Sequence, residues 1–242
     1  MSINQLTIGS DIEKGNPDSL GGSYIKDTGL YPCNIDMAYM AKSKGGALSL
    51  TLHLKSATDK SEIRQSLWVT SGDKKGNKNY YINQKGKKFL LPGMQLADQI
   101  ARITNSKPMS ELDVQPKTIK LWDWEAAAEK PQEVPVVTDL LGKQILVGLL
   151  KCRENKNVKD ANGAYVPSKE ERIFNEIDKV FHADGFSVTE KEADAAEAKF
   201  HKQWATKYPN DYVEDNFDPT VAGTEDDSLP EAATASTADL FS

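Results

Sequence analysis

The sequence is poor in the residues that ordinarily carry metal or covalent chemistry. It has two cysteines, Cys33 and Cys152, and three histidines, His53, His182 and His201, in 242 residues. Two lone cysteines build no disulfide framework, and neither a CxxC nor an HExxH motif is present to hold zinc. The expectation is therefore an intracellular, reducing setting with no metal and no cofactor. No run approaches the ~18 apolar residues of a membrane-spanning helix. The opening MSINQLTIGSDIEKG lacks the basic start and apolar core of a secretory signal, so none is expected. The stretch Gly72-Asp73-Lys74-Lys75-Gly76-Asn77-Lys78 lacks the spacing of a phosphate loop and would aim an aspartate at the phosphates. Carboxylates are plentiful but scattered, with no acid–base constellation among them. No catalytic residues are assigned, and an enzyme is not expected.

Charge is unevenly distributed. The formal net charge is −6, yet residues 209–242 hold nine Asp or Glu and no Lys or Arg, which leaves the first 208 residues at +3. Residues 41–90 alone carry eleven basic side chains against three acidic ones. Such asymmetry predicts a body that binds a polyanion and an acidic interaction tail.

Hydrophobic alternation organises the rest. In ALSLTLHLKS, Leu48, Leu50, Leu52 and Leu54 alternate with polar residues, the mark of a strand with one buried face. With YPCNIDMAYMA (31–41) before it and SEIRQSLWVT (61–70) after it, this predicts a three-stranded meander. A hairpin is expected with strands at 79–82 and 87–91, then a helix over 94–104. Strands are expected again at 117–124, 133–140 and 143–153. Residues 173–182 fit either a strand or a helical face, and 188–208 read as one charged, Ala-rich helix. Five or more short strands with an intervening helix predict a mainly β (α+β) OB-fold, a Greek-key barrel with helical additions. The expected organisation is a flexible arm at 1–22, an OB-fold domain at 23–182, a helical extension at 183–208 and a disordered acidic tail at 209–242.

The segment 64–91 interleaves cations with flat rings: Arg64, Trp68, Lys74, Lys75, Lys78, Tyr80, Tyr81, Lys87, Lys88 and Phe89. Single-stranded nucleic acid needs both, cations for the phosphates and π-faces for the unstacked bases. The alternative is a solvated hairpin. Tyr80 and Tyr81, as strand neighbours, should point to opposite faces, one to stack and the other to be buried. Trp122 and Trp124 share one strand face and serve either as a platform or as core. Lys151 and Arg153 begin a second cationic hairpin. In the tail, Asp226 and Asp227 precede a closing Asp239-Leu240-Phe241, a pattern suited to docking an apolar hook with an acidic rim.

The run LWVTSGDKKGNKNYY…GKKFLLPG, followed by VPVVTDLLGKQILVGLLK and NEIDKVF, resembles the single-stranded DNA-binding proteins of tailed bacteriophages over roughly residues 23–182. The closing DDSLPEAATASTADLFS is similar to the acidic, Phe-ended tails of bacterial single-strand binding proteins, although here Ser242 follows Phe241. The resemblance implies an OB-fold binder of single-stranded DNA without sequence preference and without catalysis. It would act in phage replication or recombination, in the cytoplasm of the infected bacterial host. Its tail would recruit replication or recombination proteins or modulate DNA binding, with no membrane partner and with an oligomer possible. The alternatives from other classes are a small phage nuclease or recombination exonuclease, and a protein-only adaptor.

Overall fold

The computed structural model describes residues 25–123, 126–160 and 163–221. Strands β1 (Gly29–Lys42), β2 (Leu48–Ser56) and β3 (Glu62–Trp68) form the expected antiparallel meander. Leu50, Leu52 and Leu54 all turn inward and are fully buried, as their alternation predicts. Next comes a short ribbon of β4 (Tyr80–Ile82) and β5 (Lys88–Leu90), which belongs to no larger sheet. Helix α1 (Pro92–Asn105) buries Ala97, Ile100, Ala101 and Ile103 in the main core. Its second residue, Gly93, lies against the backbone of Trp68, where a Cβ would come within 2.4 Å of the carbonyl oxygen. Only glycine permits this approach.

A long hairpin follows, β6 (Val114–Asp123) with β7 (Ala128–Val137), which meets the main sheet at Tyr39↔Val136 of β1. The sheet resumes with β8 (Gln144–Lys159) and β9 (Tyr165–His182), paired antiparallel along their length. The first part of β8 also pairs with β1, giving the path β9-β8-β1-β2-β3. Every step on this path is antiparallel, so β3 and β9 run in the same direction and face each other across a gap. A side-chain bridge spans the gap, with the Ile177 N–H donating to Gln65 Oε1 at 2.7 Å. The sheet is mainly antiparallel and open along this seam, so the closed barrel expected from the sequence does not form. The apolar face of α1 packs against both β3 and β9 and covers core that a continuous ladder would have sealed.

The structure also settles or changes further expectations. The stretch 173–182, which fits either state in sequence, is strand. A bulge leaves Asp178 unpaired between Lys179 and Ile177, opposite Gly148 and Leu149. The extra residue shifts the phase, so Ile177 and Val180, three apart, both reach the main core and mimic helical spacing. The single helix expected over 188–208 is two, α2 (Val188–Glu192) and α3 (Phe200–Lys207). Glu190 causes the break: its carboxylate accepts from the Ser187 N–H and hydroxyl, and also from the Lys199 and Phe200 N–H groups at 2.8 Å. Satisfying the amides that open α3 requires the chain to turn back after α2.

The tail boundary at 209 is also too early. Residues Val213–Asn216 form β10, parallel to β8 beside Lys151–Glu154. Beyond it, Asn155 exchanges hydrogen bonds with the Asp218 backbone, N–H to Oδ1 at 2.9 Å and Nδ2 to the carbonyl at 2.8 Å. The helical extension belongs to the body as well. Trp204 of α3 packs with Leu150, Cys152 and Phe181 in a second cluster, its indole N–H donating to Asp178 at 2.6 Å. Among the described residues, no helix is long and apolar enough to cross a membrane.

Candidate nucleic-acid interface

Strand alternation divides β3 into two faces. Ile63 and Leu67 enter the core, while Glu62, Arg64, Ser66 and Trp68 point outward, with Trp68 49% exposed. Glu62 grips Arg64 with both oxygens, at 2.7 Å to Nε and 3.0 Å to an Nη. This hydrogen bonding holds the Glu62 carboxyl below its usual range. The neighbouring strands extend the face through His53, opposite Arg64 in register, and Tyr39, whose ring meets that of His53 edge-on at 5.9 Å. Burial, and then the Arg64 charge, keep the His53 pKa low, although Nδ1 lies 3.1 Å from Glu62.

The chain leaving Trp68 enters a loop held by its own backbone. The Asp73 N–H donates to the Gly45 carbonyl in the β1–β2 turn, and Ser71 and Lys78 are bridged by hydrogen bonds to backbone and hydroxyl. The Asp73 carboxylate faces Gly46, which has φ +81° and where a Cβ would overlap that carboxylate. The aspartate that spoils a phosphate loop thus docks one turn against another, and Lys74 and Lys75 are displayed on a short 3-10 turn beside it.

The β4–β5 ribbon is rooted next to Trp68 through the Leu91 N–H to Asn79 carbonyl bond and the Gly93 contact. Tyr81 pairs with Phe89 across the ribbon, and the two rings stack at 5.8 Å and 26°. Both are nearly half exposed, at 48% and 46%. Tyr80 turns to the other face, as alternation requires, beneath the ammonium groups of Lys78 and Lys88 at 5.8 and 4.8 Å from its ring. Neither tyrosine is buried, because the ribbon overlies no core. Lys74, Lys75, Lys78, Lys85, Lys87 and Lys88 are all exposed, and none makes an ion pair among the described residues.

The structure therefore places Arg64 and Trp68 on the outer face of β3, and Lys74, Lys75, Lys78, Tyr80, Tyr81, Lys87, Lys88 and Phe89 on the loop and ribbon that follow it. The remaining candidates lie elsewhere. Trp122 is half exposed on the β6–β7 hairpin, opposite Glu129. Lys151 and Arg153 stand on β8 with their charges engaged, Lys151 by Asp27 at 3.0 Å and Arg153 by Asp215 at 3.1 Å while stacked over Phe217. Trp124 and the tail residues Asp226, Asp227, Asp239, Leu240 and Phe241 lie outside the described residues. Sequence reasoning did not bring His53 and Glu62 to Arg64, and it named Tyr81 and Phe89 without pairing them. The pair was legible in principle, since the two residues are symmetric about the Asn83–Lys87 turn. The Glu62 grip on Arg64 was not, because i, i+2 charges in a strand have no fixed geometry in sequence.

Among the described residues, no group of three or more His, Cys, Asp or Glu is arranged to hold a metal ion. Comparison of the chain with protein-family models, curated proteins and solved structures returns no match.

Proposed function

We propose that the chain binds single-stranded nucleic acid without sequence preference, through the outer face of β3 and the β4–β5 ribbon. The observation that carries this reading is the stacked, half-exposed Tyr81–Phe89 pair on a ribbon whose lysines make no ion pair among the described residues. Exposed aromatics away from a core contribute little to folding, whereas each base stacked on such a ring adds ~1–3 kcal/mol. Lysines with no internal partner release counterions from the nucleic acid when they meet phosphates.

The same reading takes the sheet as an OB-type barrel with an open seam. The strand path β9-β8-β1-β2-β3 and the placement of α1 between β3 and β8 support it. With the resemblance to phage proteins, the ligand is single-stranded DNA and the role is its protection during phage replication or recombination in the host cytoplasm. The acidic residues beyond 221 then recruit partner proteins or modulate DNA binding.

A titration of labelled single- and double-stranded oligonucleotides at two salt concentrations tests this. Preferential binding of the single strand is expected, with log K falling by about 0.7 per contacted phosphate against log salt. Equal affinity for duplex removes the stacking half of the reading. Loss of the labelled strand on adding Mg²⁺ favours a nuclease, and absence of any binding favours a protein-only adaptor.

A further inference from the structure

The seam between β3 and β9 is a groove of about 840 Å³, within the ~300–1,000 Å³ of ordinary ligand pockets. Its two walls carry matching sets of groups. On β3, Arg64 is held by Glu62 near Trp68. On β9, Arg172 lies 3.2 Å from Glu154 and 4.7 Å above the centre of the Phe174 ring. Each arginine is already neutralised by its own glutamate, the third lining cation, Lys26, is held by Asp59 at 2.6 Å, and a further carboxylate, Glu176, lines the groove. Burial, followed by the charges of Asp178, Glu154 and Glu214, raises the Glu176 pKa, as expected where negative charge is unwelcome. The groove therefore has no surplus positive charge to attract a phosphate. It does offer flat surfaces: the Trp68 indole, the Arg172 guanidinium and the Phe174 ring.

We infer that the seam groove is a second base-binding subsite, in which bases passing Trp68 stack against the Arg172–Phe174 pair while their phosphates stay outside; it rests on the single-strand reading above. Arginine planes and aromatic rings both accept unstacked bases. The division of labour follows from the charges. The ribbon, rich in lysines that make no ion pair among the described residues, supplies salt-dependent affinity, and the groove, electrically balanced, supplies affinity that salt does not screen.

The test uses the full chain and its Phe174→Leu and Arg172→Gln variants. Leucine keeps apolar volume against the second core cluster while removing the π-face, and the exposed Arg172 side chain can be replaced without opening a cavity. Binding of single-stranded oligonucleotides of about 4 and about 12 residues is followed by fluorescence anisotropy at two salt concentrations. Thermal melting confirms that each variant is folded, and should Phe174→Leu fail to fold, Arg172→Gln decides alone. Both variants are expected to bind the longer oligonucleotide about tenfold more weakly, by the same factor at both salts. Affinity for the shorter one, which the ribbon alone can hold, should not change. Unchanged affinity of both folded variants for the longer strand would overturn the subsite. So would a salt slope reduced by about 0.7 in Arg172→Gln, since Arg172 would then be meeting a phosphate. If the unaltered chain binds neither oligonucleotide, the single-strand reading falls and the groove with it. If it binds both and only the seam variants are silent, the groove alone falls.

Discussion

In the body of the sheet, several charged side chains are held by partners. Lys26, almost fully buried, meets Asp59 at 2.6 Å, Lys151 meets Asp27, Arg153 meets Asp215, and Trp204 donates its indole proton to Asp178. Its core side chains are closed off from water, with Ile35, Leu50, Leu52, Leu54 and Phe181 all at 0% exposure. On the β4–β5 ribbon, Tyr81, Ile82, Phe89 and Leu90 are each at least 40% exposed, among lysines that make no ion pair with the described residues. Buried groups need satisfied hydrogen bonds and matched charge, because leaving one unpaired costs ~1–3 kcal/mol or more. A two-stranded ribbon of three-residue strands gains little stability by itself. Its composition makes physical sense when its cations and rings serve a ligand.

Substitutions should therefore separate the two regions. The largest effect is expected in the body. Trp204→Ala opens a cavity in the second core cluster and removes the indole donor to Asp178, which keeps only Lys179 among the described residues, so it should destabilise the fold by ~3–5 kcal/mol in urea unfolding. A loss below about 1 kcal/mol would mean that α3 is an appendage rather than part of the core. On the ribbon the order reverses. Tyr81→Ala should weaken single-strand binding by ~1–3 kcal/mol while the unfolding midpoint barely moves. If stability and affinity fell together, the ribbon would be structural and the contrast would fail.

A smaller and more diagnostic effect concerns charge. Lys87→Gln combined with Lys88→Gln should flatten the plot of log K against log salt by about 1.4, two phosphates at ~0.7 each. The same pair of changes at Lys151 and Arg153, already engaged by Asp27 and Asp215, should leave that slope nearly unchanged. The smallest effect is in acid. Hydrogen bonds from the Ser187 backbone above all, and then from Lys199 and Phe200, push the Glu190 carboxyl down to about 2 from an ordinary value of 4.5. A depressed folded-state pKa adds stability that is complete above about pH 4.5 and is lost as pH falls toward 2. Unfolding measured at pH 7, 4 and 3 should show this decline, and Glu190→Gln should make it shallower. Parallel curves for the two proteins would place the acid sensitivity elsewhere.

The parts of the fold that sequence alone revealed are those governed by local periodicity. The leucine alternation of β2, the helix around Ile100 and the hairpin about Asn83–Gly86 each follow from spacing within a dozen residues. The parts left undecided or misread depend on long-range partners. Residues 173–182 fitted helix as well as strand because a bulge at Asp178 offsets strand phase by one residue, and nothing local to that stretch announces a bulge. The helix over 188–208 was expected to be continuous because propensity favours it, yet four donors converging on Glu190 outweigh propensity. Within the candidate site, the residue types were legible and their grouping was not. Lys88 and Lys151 look alike as lysines in hairpins, but one hovers over an aromatic ring and the other is held by Asp27.

By itself the sequence determined the chemistry on offer: interleaved lysines and aromatics over 64–91, an acidic stretch after 209, and few residues suited to metal or covalent chemistry. These are properties of composition and spacing, and no folding event alters them. The tertiary structure decided which charges remain available, since an ion pair forms only where the fold brings opposite charges together. It also decided that β3 and β9 stop short of pairing, because a side-chain amide at Gln65 and the packing of α1 occupy the place of a backbone ladder. The groove along that seam belongs to neither strand's sequence. It exists because two edges, more than a hundred residues apart in the chain, come to face each other without closing.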